Sequence, residues 1–274
     1  MNPNQALPWR PSLLIKLTLS LHAAMLIALG LYPGNWSWIV TALGVNHLVL
    51  TLAGLLPRCA WLGPNWTCLP ASSRARGEIA LTIDDGPDPD VTPQVLDLLE
   101  RHGATASFFC IGSKAARYPD LCRRIVEHGH AIENHTQRHP HYFSFLGPAG
   151  LTREIQAAQD TLIAITGRVP RFFRAPAGLR NPFLDPVLAK LGLRLAAWTR
   201  RGFDTRTSDP ATVSRRLTKD LRPGAILLLH DGNSARTSSG VPVILAVLPV
   251  LLDAAAAAGL RFVTLHDALE SERH

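Results

Sequence analysis

The chain has 274 residues, with 28 Lys and Arg against 21 Asp and Glu and a formal net charge of +7 at pH 7. No Lys/Arg run interleaved with aromatic residues occurs, so the basic balance does not point to nucleic acid as a partner. No Asp or Glu precedes Glu78, and the first 70 residues carry only Arg10, Lys16 and Arg58, which divides the chain into an apolar head and a mixed-charge domain.

The head opens with two apolar runs, SLLIKLTLSLHAAMLIALGLY (12–32) and SWIVTALGVNHLVLTLAGLL (37–56). Each is long enough for a helix to cross a hydrocarbon core of roughly 30 Å. Tyr32, Trp36 and Trp38 gather at the uncharged turn between them, and Trp61 and Trp66 follow the second run, as interfacial aromatics do. Lys16 sits one turn inside and can snorkel. Residues 1–60 are therefore expected to form a transmembrane helical hairpin. A buried hairpin and a cleaved signal peptide are the alternatives, but no small-residue cleavage site closes the first run and a second follows at once. Two spans return the chain to its starting side. Arg10, Lys16, Arg58, Arg74 and Arg76 lie beyond the spans' outer ends or near them, and the turn has no charge, which predicts the large domain on the cytoplasmic face. His22, Asn46 and His47 are expected to bond between the two helices. Cys110 and Cys122 read as small core residues. Cys59 and Cys68 would have reason to pair only outside the cytoplasm.

A linker is expected over 61–77 and a catalytic domain over 78–274. Strand-like runs fall at 79–84, 105–110, 130–135, 171–175, 193–198, 225–230 and 261–265. Helix-like segments separate them, at 92–102, 113–128, 150–166, 184–192, 209–220 and 241–258. This alternation predicts an α/β domain with parallel strands. Seven strands suit a barrel better than an open sheet, and either form binds ligands at the C-terminal strand ends.

Those ends carry the chemistry. The first strand ends in Asp84-Asp85-Gly86, the third leads into His135 and His139, and the fourth into Arg174. The fifth leads toward Asp204, and the sixth ends in His230. Two imidazoles four residues apart can face one way. With Asp85 they make a three-ligand set that leaves a position open, as a catalytic Zn²⁺ requires, and that also suits Fe²⁺, Co²⁺ or Ni²⁺. A bound dication lowers the pKa of its water toward roughly 7 and polarises a carbonyl. Asp84 is then free to act as general base and His230 as the acid that protonates a leaving amine. Taken singly, Asp-Gly-Pro is common turn chemistry and a strand-end His or Arg is often surface. Together at one rim they make a site.

These residues resemble the polysaccharide deacetylase family, whose shared unit is the chitooligosaccharide deacetylase homology domain, over about 78–266. The family's first motif, Thr-Phe-Asp-Asp-Gly, is similar to Thr82-Ile83-Asp84-Asp85-Gly86, and its second, His-Ser/Thr-x-x-His, to His135-Thr136-Gln137-Arg138-His139. The third, Arg-x-Pro-Tyr, is similar to Arg174-Ala175-Pro176-Ala177, and the fifth, Leu-x-His, to Leu228-Leu229-His230. The resemblance implies a distorted, seven-stranded (β/α) barrel and metal-dependent amide hydrolysis. It makes Asp84 the base, His230 the acid, Arg174 the group orienting Asp84, and Asp85, His135 and His139 the metal ligands. It also gives the oxyanion to the backbone N–H of Ala177, where the family has Tyr, and places Leu228 beside the substrate. The fourth motif, Asp/Asn-x-x-Asp-Trp, meets Arg201-Gly202-Phe203-Asp204-Thr205. Asp204 remains to tune His230, but the first acid is Arg201 and the wall Trp is Thr205. Phe203 or Trp198 would have to replace that wall.

The expected activity is N-deacetylation of an N-acylated amino sugar. A non-catalytic glycan-binding relative should have lost Asp84, a metal ligand or His230, and none is lost. A cytoplasmic face, a short anchor and Arg58, Arg74 and Arg76 near the headgroups, each favouring anionic lipid by about 1 kcal/mol, point to a lipid-linked or other membrane-associated glycan substrate. The alternative is an extracytoplasmic deacetylase of peptidoglycan or another polysaccharide.

Overall fold

The computed structural model describes residues 6–272. Leu13–Leu31 (α1) and Trp36–Leu55 (α2) are apolar around their whole circumference, so neither has a polar face to turn to water. The Ser12 hydroxyl caps α1 by accepting from the Ile15 amide. A short turn, Pro33–Asn35, reverses the chain. The two helices are long and apolar enough to cross a membrane, and α1 buries none of its residues, unlike the core helix of a globular domain. Thr18 donates to Asn46 Oδ1 across the pair at 3.1 Å, and the His22 and His47 rings meet edge to face at 5.2 Å. The histidines' Nδ1 atoms turn to carbonyls of their own helices, so of the three polar residues only Asn46 bonds between helices.

The mixed-charge domain forms eight parallel strands. They are Glu78–Asp84 (β1), Ala106–Cys110 (β2), Ala131–Asn134 (β3), Phe172–Phe173 (β4), Arg194–Leu195 (β5), Arg200–Arg201 (β6), Ile226–His230 (β7) and Arg261–Phe262 (β8). Ala71–Ala75 (α3) precedes them, Thr92–Arg101 (α4), Gly112–Arg117 (α5), Pro119–Glu127 (α6), Pro148–Thr166 (α7), Leu184–Lys190 (α8), Pro210–Thr218 (α9) and Val243–Ala257 (α10) lie between them, and Leu265–Glu270 (α11) follows. The sheet order is β5-β4-β3-β2-β1-β7-β6, with β8 on the start of β1. Seven strands were to be expected from the pattern. The eighth arises because the run 193–198 pairs over only two residues, and Arg200–Arg201 then forms its own ladder on β7. The helix expected over 113–128 breaks at Tyr118, because Pro119 has no amide hydrogen to continue it.

Strand alternation divides the core. Ile79, Leu81 and Ile83 face outward and pack with Leu96, Leu99, Leu248 and Leu251 of the surrounding helices. Ala80 faces inward with Phe109, Phe172 and Ile226, and by the same period Thr82 and Asp84 point into the barrel. The ladders then set the level of the site. Asp84 pairs with His230 on one side and Phe109 on the other. Cys110 pairs with Asn134, and Asn134 with Phe173, so His135 and Arg174 follow at the same rim.

No ladder joins β5 to β6. Residues from the stretch expected as a linker occupy that opening: Trp66 bridges Ala196, and Cys68 bridges Ala225. The Trp66 amide donates to Leu195 O at 2.9 Å, and its ring meets Phe172 edge to face at 4.9 Å. The barrel is thus a curled, open sheet plugged by the chain that leads into it. Cys59 and Cys68 are both free thiols.

The hairpin docks on the C-terminal side of the strands. Gly54, near the end of α2, accepts at its carbonyl from the Arg180 amide at 3.1 Å, in the loop that follows β4. A Cβ on Gly54 would lie 2.2 Å from Arg180 O, so only glycine allows this approach. Pro57 lies against Gly178, and the Arg58 guanidinium donates to Thr199 O at 3.1 Å. Ahead of α1, the Leu7 amide bonds Ala189 O and the Trp9 indole bonds Asp185.

Candidate active site

Adjacent residues of a strand point to opposite faces, which would separate Asp84 from Asp85. The chain avoids this by ending β1 at Asp84 and placing Asp85 in the left-handed region, at φ 71°. That conformation costs a non-glycine residue about 1–2 kcal/mol. Packing holds it. Lys114 Nζ donates to Asp85 O at 2.7 Å, and Asn233 Nδ2 donates to Asp85 Oδ2 at 3.2 Å. A Cβ on Gly86 would lie 2.4 Å from the Asp231 carboxylate, and one on Gly232 would lie 2.1 Å from Asp85 O. Thr136, His139, Ala177, Phe203 and Asn233 also take positive φ, all in loops at this rim. Such strain concentrates where a fold over-determines the geometry of a site.

Asp85 Oδ1 lies 3.2 Å from His135 Nε2 and 3.3 Å from His139 Nε2. One donor atom from each residue falls within 4.8 Å of the other two. His135 Nδ1 is 2.8 Å from the Arg174 carbonyl. A carbonyl only accepts, so that nitrogen carries the proton and Nε2 turns a lone pair to the site. The His139 amide donates to the Thr136 hydroxyl, which sets the second ligand's loop. Burial would raise the Asp85 pKa, but the surrounding imidazoles of His135, His230 and His139 hold it below the usual carboxylate range. Burial, with His135 close by, lowers His139 to about 4. A carboxylate and two imidazoles whose donor atoms converge are the set a divalent cation needs, and these residues fit one.

Two supported pairs flank the donors. Arg174 Nη1 donates to Asp84 Oδ1 at 2.7 Å and to Thr82 Oγ1 at 2.8 Å. Its Nε and Nη2 donate to Ala196 O and Ala197 O, and its guanidinium lies 4.1 Å from the Phe109 ring centre. The side chain is 1% exposed, so each of these bonds stands in for lost water. Across the site, His230 Nδ1 is 2.9 Å from Asp204 Oδ1, and Asp204 Oδ2 accepts from the His230 amide at 2.7 Å. Burial would lower the His230 pKa, but the Asp204 hydrogen bond and charge raise it.

The other expected residues are placed differently. Ala177 lies in the loop after β4, exposed, at φ 54°. Leu228 is enclosed against Ala197 and Trp198, a wall behind His230 rather than a surface open to ligand. Trp198 is itself buried, while Phe203 is half exposed. The Arg201 guanidinium lies 4.8 Å from the Phe203 ring and 5.4 Å from Trp198, and its buried Nε has no partner among the described residues. Sequence reasoning missed Thr82, Lys114, Asn233 and Asp231. Asp231 is raised to about 6 by burial and accepts from the Thr92 hydroxyl. Only proximity to a motif could have flagged Thr82, Asp231 and Asn233, and nothing local flags Lys114.

Comparison with known proteins agrees with this geometry. The polysaccharide deacetylase family model matches residues 71–196. A chitooligosaccharide deacetylase of Azorhizobium caulinodans is 39% identical over 158 residues, 57% of this chain and 75% of the relative. A peptidoglycan-N-acetylglucosamine deacetylase of Bacillus cereus is 34% identical over 193 residues, 70% of this chain and 87% of the relative. Among solved structures, a family 4 carbohydrate esterase from Streptomyces lividans in complex with acetate is 32% identical, with a TM-score of 0.61 over 68% of this chain and 91% of its own.

Proposed function

The chain belongs to the polysaccharide deacetylase family and hydrolyses N-acetyl amide bonds of amino sugars, and from this premise we propose that its substrate is an N-acetylated amino sugar carried on a membrane lipid. The observation that carries the catalytic reading is that Asp84, paired with Arg174, and His230, paired with Asp204, end neighbouring strands beside the Asp85–His135–His139 donors. Asp85, His135 and His139 would hold a divalent metal, Zn²⁺ ahead of Fe²⁺, Co²⁺ or Ni²⁺, which would supply Lewis acidity toward the amide carbonyl and lower the pKa of water. The remaining steps belong to the chain. Arg174 holds Asp84 Oδ1 and leaves Oδ2 free to take a proton from the attacking water. The Ala177 N–H is assigned to the carbonyl oxygen as it gains charge. Asp204 holds His230 Nδ1, so Nε2 is the atom that gives its proton to the departing amine and releases acetate.

The lipid-linked reading is supported by where the anchor sits. The end of α2 packs on the loop after β4, the same loop that carries Arg174 and Ala177, which brings the rim close to the bilayer into which the hairpin would insert. We assign the domain to the cytoplasmic face from the cations outside the turn. The name of the Bacillus cereus relative favours a second reading, an extracytoplasmic peptidoglycan deacetylase. The purified full-length protein separates them: it should deacetylate a polyisoprenyl-phosphate-linked N-acetylated sugar at least tenfold faster than soluble chitooligosaccharide or peptidoglycan fragments. Asp84→Asn should lower both activities by about 10²-fold or more. Equal rates on all substrates, or peptidoglycan preferred, would remove the lipid reading. Unchanged turnover in Asp84→Asn would remove the mechanism.

A further inference from the structure

Between the hairpin and the domain lies a groove of about 570 Å³. Leu19 of α1 and Leu55 of α2 form one wall. Phe145, from the loop after β3, and Leu179 and Phe183, from the loop after β4, form the other. These side chains are not spent on the fold: Phe145 is 87% exposed and Leu19 61%. Large apolar groups gathered on a surface mark a binding or membrane face. Its helical wall belongs to two helices long enough to cross a bilayer.

One lining residue is charged. Arg180 is 5% exposed, with Nη2 donating to Cys59 O, yet its buried Nε has no partner among the described residues. No carboxylate pairs with it there. Asp185, whose charge reaches it at longer range, accepts from the Trp9 indole instead. A buried cation with an unpaired donor beside an apolar trough is complementary to an anion attached to a long hydrocarbon chain. Two loops that line the groove also carry residues of the site. Phe145 stands six residues beyond His139, and Arg180 three beyond Ala177, on the same two loops.

We infer that this groove is the subsite for the lipid part of the substrate. The hydrocarbon chain lies between the hairpin and the two rim loops, and its phosphate sits at Arg180. The sugar then reaches along the loop after β4 to Asp84 and His230. The inference rests on the lipid-linked reading above and adds the place and the residues that would recognise the carrier. It also gives the docked hairpin a role besides anchoring, since α1 and α2 supply half of the subsite.

The test uses the full-length protein in nanodiscs and a diazirine-bearing polyisoprenyl phosphate. Photolabelling should fall on peptides containing Leu19, Phe145 or Phe183. Unlabelled polyisoprenyl phosphate should compete, and inorganic phosphate or neutral diacyl lipid should not. In kinetics, Leu19→Trp and Arg180→Gln should each lower the ratio of kcat/KM for the lipid-linked sugar to that for soluble chitooligosaccharide at least tenfold. The ratio cancels a general loss of folded enzyme, and labelling of the wild type needs no variant to fold. Labelling elsewhere, or ratios that do not move, in an enzyme that prefers the lipid-linked sugar would overturn the groove and leave the substrate reading standing. A wild type with no preference for the lipid-linked sugar would overturn that reading and the groove with it.

Discussion

Asp204 reaches the site only through His230, and its effect has a definite sign. Its hydrogen bond and charge favour the protonated imidazole, outweighing the burial that opposes it. Protonated His230 is the form that donates to a leaving amine, so that contribution is complete at low pH and is lost as pH rises through the raised pKa. Stability follows the same direction: the Asp204–His230 pair contributes fully below the unfolded-state value near 6.5, and less as pH passes the folded one. Asp204→Asn should move the alkaline limb of the kcat/KM profile to lower pH, a change seen by repeating the profile on the variant. A limb that stays in place would detach Asp204 from His230's proton. For Asp84 the amide variant keeps an acceptor for Arg174, so Asp84→Asn should lose about 10²–10⁴-fold in kcat while its circular-dichroism melt stays within a few degrees. The metal ligands make a separate prediction. Chelation should abolish turnover, and Zn²⁺ added back should restore it and raise the melting temperature, because an ion bound only by the folded chain stabilises it. Asp85→Ala should show neither recovery.

Loops, rather than strands, carry the unusual backbone. The turn after β1 and the loop after β7 pack so closely that each needs a glycine where they meet. Gly232→Ala would press a methyl into Asp85 O, and overpacking of this kind costs about 1–3 kcal/mol. The expected result is a melting temperature lower by several degrees, together with weaker metal binding, because the displaced atom belongs to a ligand residue. Titrating the metal by calorimetry on the variant and the wild type checks both. Residues 66–69 show the same dependence on partners. Trp66-Thr67-Cys68-Leu69 is too short to read as a strand by itself, and it becomes part of the sheet because β5 and β6 leave carbonyls and amides unpaired there.

At the level of the molecule, the helical hairpin and the catalytic domain share an interface. The α2 end, the loop after β4 and the segment before α1 lock together through Gly54, Arg180, Trp9 and Asp185. Gly54→Val should separate them, since even a Cβ collides with Arg180 O. Faster limited proteolysis between residues 56 and 65, without a change in the far-ultraviolet spectrum, would report that opening. Orientation has its own measurement. Cytoplasm-active and periplasm-active reporters fused after His274 should give signal only from the cytoplasmic one, and the reverse would place the rim against an extracytoplasmic glycan.

The chemistry was legible in the sequence because its residues sit in short, ordered motifs. Asp84-Asp85-Gly86, His135 with His139, and His230 each lie at the end of an apolar run, and the β/α alternation alone brings such ends to one rim. The two membrane-length helices were equally plain, since length and hydropathy are local properties. What only the tertiary structure decided depends on contacts between segments far apart in the chain. The left-handed turn at Asp85 exists because Lys114 and Asn233 hold it. The enclosure of Leu228 follows from its packing on Ala197 and Trp198. The use of 66–69 to plug the barrel needs the gap beside β5, and the docking of the hairpin needs a glycine at 54 opposite a carbonyl at 180. Local pattern sets which groups a strand end presents. Long-range packing sets where each one points and what lies beside it.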